Sequence, residues 1–70
     1  MMPLSMIHES EVRYIKKIGG SEETKRFLGN LGFTVGEMVT VITKINSNVI
    51  VKVKEARVAI SSEMASKIMV

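Results

Sequence analysis

Apolar and polar residues change period several times along this chain, and each change marks an element. Residues 11–18, EVRYIKKI, are rich in β-branched and aromatic side chains and stop at Gly19-Gly20, which predicts a strand. In the stretch SEETKRFLGNLG that follows, Thr24, Phe27, Leu28 and Leu31 keep the i, i+3, i+4, i+7 spacing of one buried helical face. Ser21 suits the N-cap, and Glu22 and Glu23 place negative charge where the helix dipole favours it. Gly32 is the residue type that commonly ends a helix in the left-handed conformation. A helix this short is unstable by itself. It must pack on something.

That something reads as a sheet. MVTVITKI (38–45) and VIVKV (49–53) flank the polar turn Asn46-Ser47-Asn48. A three-residue loop pairs Ile45 with Val49, Thr43 with Val51 and Val41 with Val53, keeping apolar residues on one face. A two-residue loop sets Val41 against Lys52 and mixes the faces, a slip that a sheet with a buried side rejects. The next run, RVAI (57–60), then pairs Val53 with Val58 and Val51 with Ile60 around a turn centred on Glu55-Ala56. Ser61 is expected to cap one helical turn carrying Met64 and Ala65, and KIMV to return as a last short strand. The order implies a mainly β protein: a small SH3-like barrel of about five strands with one short helix. Closing the sheet lets a short chain bury one face and hide its edges. An OB-fold, the rival, needs longer strands than these.

Length and composition narrow the picture. Seventy residues make one domain, expected to span 1–70. With no cysteine, disulfides and thiolate zinc sites are excluded as staples, so stability rests on the 46% apolar content. No signal-peptide pattern opens the chain and no membrane-length apolar run occurs, so a cytoplasmic protein without direct membrane insertion is expected. The net charge of +3 is modest and scattered. Lys44, Lys52 and Lys54 alternate along strands as a solvated face does, and nucleic-acid binding is not expected of so few aromatic residues.

Candidate chemistry is thin. The dense glycines suggest a phosphate loop, but no Gly-Lys-Ser/Thr occurs, and Gly29, Gly32 and Gly36 lie within and after the helix rather than between strand and helix. Glu22 and Glu23 would repel an anion bound after Gly19-Gly20. These glycines are therefore expected to turn the chain. His8, Glu9 and Glu11 in HESE are the nearest approach to a divalent-cation site; a solvated loop is the plainer reading, and no metal site is expected. One histidine and no aspartate build no Ser-His-acid set. Glu22 and Glu23 are adjacent on the helix and point apart. The six methionines read as core filler. Neither catalysis nor a cofactor is expected.

The run RFLGNLGFTVGE followed by VTVI, together with the ending RVAISSEMASKIMV and the opening PLSMI, resembles the small ferrous iron transport protein A (FeoA) family from about Pro3 to Val70. One departure is visible: the family often has glycine near Ser10, which bears on the first loop. The resemblance implies an SH3-like barrel acting in the cytoplasm, at the inner face of the cell membrane. Its partner would be the FeoB-type ferrous iron transporter, to which iron and GTP would belong. The implied contact region maps to Arg26, Phe27, Leu28, Leu31 and Phe33, although the helical spacing also makes Phe27, Leu28 and Leu31 core-facing. The alternative is an SH3-like regulatory module like the C-terminal domain of iron-dependent repressors, which binds a peptide or lends metal ligands. A small nucleic-acid-binding barrel comes third.

Overall fold

The computed structural model describes residues 1–70. After a 3₁₀ turn at Leu4–Met6 come strands β1 (Val12–Tyr14) and β2 (Lys17–Ile18), then helix α1 (Glu22–Asn30). A meander of β3 (Met38–Ile45), β4 (Asn48–Val53) and β5 (Ala56–Ser61) follows, and a short helix α2 (Ser62–Ala65) leads to β6 (Ile68–Met69). The strands form a four-stranded sheet, β1-β3-β4-β5, and a small second sheet, β2-β6. Both helix starts are capped as the sequence predicts. Thr24 N–H donates to Ser21 Oγ at 3.1 Å, and Met64 N–H to Ser61 Oγ at 3.1 Å.

Residues 11–18 are not one strand. Ile15 N–H donates to Glu37 O at 2.9 Å, and the next N–H, that of Lys16, donates to Met69 O at 2.7 Å. Successive amides of an extended chain point in opposite directions, so this strand leaves one sheet at Ile15 and enters the other at Lys16. Ile15, at the corner, is only 1% exposed.

Both hairpin registers also differ from expectation. The β3–β4 loop holds two residues, with Ile45 opposite Asn48 and Thr43 opposite Ile50; a bulge at Ile42 then puts Val41 opposite Val51 and Val39 opposite Val53. The extra residue restores the facing that a plain two-residue loop would lose. Asn46 takes φ 55° in that turn, a conformation asparagine tolerates better than most residues. The β4–β5 turn is also shorter, at Lys54-Glu55, and pairs Val53 with Ala56, Val51 with Val58 and Val49 with Ile60. This slip of two residues preserves which side chains face inward.

Inward rows from β3, β4 and β5 meet Leu4, Ile7, Leu28, Phe33, Ile68 and others in one core of 14 buried apolar residues. No polar or charged side chain is buried. Gly20, Gly32 and Gly36 all have positive φ and turn the chain. At Gly20 (φ 90°) a Cβ would also lie 3.1 Å from Thr24 Cγ2, so the entry to α1 requires glycine twice over.

Candidate partner-binding surface

Helix α1 and the turn that follows it present the residues expected to make the contact in two very different states. Leu28 is 0% exposed and Phe33 1%. Both belong to the hydrophobic core. Leu31 is half-buried and packs against the core. Arg26 is exposed, and Phe27 is 48% exposed where the helical spacing placed it inward. The buried arc is narrower than the spacing suggests. Leu28 and Leu31 meet the barrel, Thr24 is half-buried, and Phe27 stands about 100° around the helix from Leu28. Phe33 N–H donates to Leu28 O at 3.0 Å, which ties the C-terminal end of the helix to the barrel and leaves its outer side free.

His8, Glu9 and Glu11 do not assemble a cation site. The Glu11 carboxylate receives Arg13 Nη2 at 2.6 Å and the backbone N–H of His8 at 3.3 Å. The Arg13 hydrogen bond holds this carboxyl below its ordinary range, outweighing partial desolvation, with the His8 amide adding to the effect. No group of three His, Cys, Asp or Glu side chains is disposed to hold a metal ion.

A second exposed region escaped the sequence reading. Val12, Tyr14 and Met38 are 51%, 57% and 49% exposed, and Tyr14 lies directly opposite Met38. Beside them is a depression of about 230 Å³ lined by Glu37, Met38, Thr40, Lys52, Lys54 and Glu55. Lys54 Nζ pairs with Glu37 Oε1 at 3.0 Å across it. Alternation within residues 11–18 does put Val12 and Tyr14 on one side. Which side faces solvent depends on the partner strand, which the sequence does not supply.

The fold is a small SH3-like barrel in which no polar or charged side chain is buried. The chain belongs to the FeoA domain family, which it matches over residues 2–70. Among curated proteins, none matches it closely enough to count as a relative. Solved structures share the fold. An iron uptake regulatory protein (FeoA) superposes with a TM-score of 0.89 at 24% identity, over 96% of this chain and 91% of that one. Stenotrophomonas maltophilia FeoA, solved with zinc and described as a prokaryotic SH3-domain protein, gives 0.85 at 23% identity, over 99% and 88%. A manganese-dependent transcriptional repressor gives 0.87 at 16% identity, but the match takes up only 38% of that longer chain. No helix in this chain is long and apolar enough to cross a membrane.

Proposed function

We propose that this protein, acting as one unit over residues 1–70, is a non-catalytic accessory protein of a ferrous iron uptake system. It works in the cytoplasm at the inner face of the cell membrane and binds the FeoB-type transporter. The outer side of α1, centred on Arg26 and Phe27, makes the contact, with half-buried Leu31 at its margin. The observation that carries this reading is Phe27: a large aromatic side chain left 48% exposed on a helix whose neighbouring Leu28 is fully buried. Exposed aromatics held by a rigid backbone are the usual anchors of protein interfaces. Membership of the FeoA family supports the transport context, and the Stenotrophomonas relative has been put forward as a ferrous iron transport activating factor. Likeness to the repressor is of fold alone, so the regulatory-module reading has no residue-level support here.

The test compares two variants in cells limited for iron and in pull-downs on transporter-containing membranes. Phe27→Ala combined with Arg26→Glu is expected to leave melting unchanged and to weaken association by about thirtyfold, the loss of one interface anchor of about 2 kcal/mol. Uptake should fall with it. Unchanged uptake after deletion of the whole protein sinks the accessory role. If deletion lowers uptake but the double variant binds normally, the role stands and the surface lies elsewhere.

A further inference from the structure

The outer face of the four-stranded sheet carries one continuous cross-strand row. Val12 lies opposite Thr40, Thr40 opposite Lys52, and Lys52 opposite Arg57. Residues directly opposite in an antiparallel sheet project to the same side, and the neighbouring row adds Tyr14 beside Met38. Val12, Tyr14 and Met38 are about half exposed, and Lys52 and Arg57 are exposed. The face thus grades from apolar at β1 to basic at β4 and β5.

Its basic end is set against its own stability. Like charges directly opposite on neighbouring strands repel, and neither Lys52 nor Arg57 is relieved. The three ion pairs of the protein join Arg13 to Glu11, Lys25 to Glu22 and Lys54 to Glu37. Glu55 shares the depression with Lys52 yet pairs with neither cation. An anionic group seated between Lys52 and Arg57 would turn that repulsion into two attractions.

We propose that this face docks a short segment of a partner protein that is apolar at one end and acidic at the other. It is a surface distinct from the outer side of α1 and does not depend on the transporter reading. Four strands place Val12 and Arg57 about 14 Å apart, a distance that four to five extended residues span. The apolar end covers Val12, Tyr14 and Met38, and the carboxylates meet Lys52 and Arg57. A second copy of this chain does not fit, because a two-fold pairing of the graded face sets either cation against cation or the apolar end against Lys52 and Arg57. Single-stranded nucleic acid fits poorly, since Tyr14 is the only aromatic ring on the two rows and stacking needs a series of them.

The test is a titration of ¹⁵N-labelled protein with the capped peptide Phe-Leu-Ser-Glu-Glu. The parallel probes are its Gln-Gln and Lys-Lys versions and an oligothymidylate. Saturable shifts are expected at Val12, Thr40, Lys52 and Arg57, with millimolar or tighter affinity. The Gln-Gln peptide should bind at least about tenfold more weakly, as expected when charge-assisted hydrogen bonds are lost. Lys52→Glu is the sharpest variant: by pairing with Arg57 it should raise the melting temperature by about 4 °C while weakening the acidic peptide at least about tenfold. Gain of stability with loss of binding separates docking from folding, and Arg57→Gln, which removes the repulsion but creates no new pair, should weaken binding with a smaller gain in melting temperature. The proposal is overturned by absence of saturable shifts, by shifts confined to other faces, by tighter binding of the oligothymidylate, or by a Lys52→Glu variant that keeps its affinity.

Discussion

Ser10 takes φ 72° just before β1, with its N–H donating to Val41 O at 2.6 Å. The left-handed region costs an ordinary residue roughly 1–2 kcal/mol, and glycine avoids that cost at the expense of about 0.5–1 kcal/mol of chain entropy. Ser10→Gly is therefore expected to stabilise the protein by up to about 1 kcal/mol, raising the melting temperature by a few degrees; a lower melting temperature would contradict the strain. Next to it, Glu11 supplies a pH dependence of known sign. Its carboxyl titrates below the ordinary range in the folded state, chiefly through the Arg13 hydrogen bond. It therefore adds stability above the ordinary carboxylate range, and that contribution disappears as pH falls through its lowered folded value. Arg13→Gln should make the acid limb of the melting profile shallower. An acid limb unchanged by Arg13→Gln would assign the pH dependence to other groups.

Among the elements, β3 depends most on a single irregularity. Ile42 is the extra residue that allows a two-residue loop at Asn46-Ser47 and inward-facing valines on the same strand. Deleting it leaves two poor choices. Either the loop must be rebuilt, or Val41 and Val39, now 0% and 1% exposed, must turn to solvent while polar neighbours turn inward. The expected cost is about 3 kcal/mol or more, a fall of at least about 12 °C in melting temperature for a domain of this size. Deletion of Ile42 without such a fall would mean that the bulge is not what sets the facing. Helix α1 presents the opposite case: its cap, its dipole charges and its Gly32 stop are all local, and all appear where local chemistry predicts them.

For the whole molecule, the contrast between Leu28 and Phe27 separates folding from association. Leu28→Ala removes a fully buried side chain and should cost about 2–5 kcal/mol, a large part of the roughly 4–10 kcal/mol that holds a chain of this length together. Phe27→Ala lies outside the core and should leave melting within about 0.5 kcal/mol of the parent. Thermal melts of the two variants check this ordering before any binding experiment. If Phe27→Ala melts as low as Leu28→Ala, the aromatic ring is a packing residue and the helix surface loses its central anchor.

Period and local chemistry in the sequence determined the kind and order of most elements. The Ser21 and Ser61 caps, the Gly32 stop, the meander of β3, β4 and β5, and the inward valines all follow from short-range rules, because each depends on residues within a few positions of one another. Val51 and Val53 face inward in any register that keeps parity, which is why both hairpin pairings could be misplaced without changing the membership of the core. Tertiary structure alone decided the rest. The break at Ile15 depends on two amides finding acceptors in different sheets, at Glu37 and Met69, far apart in the chain. The bulge at Ile42 reconciles a turn preference with a facing requirement that only the assembled sheet imposes. Whether Phe27 was core or surface depended on how much of the helix the barrel could cover. The opposition of Lys52 to Arg57 required the true β4–β5 turn. In each case the deciding partner lies outside the local pattern, and an alternating or helical period carries no information about what will stand opposite.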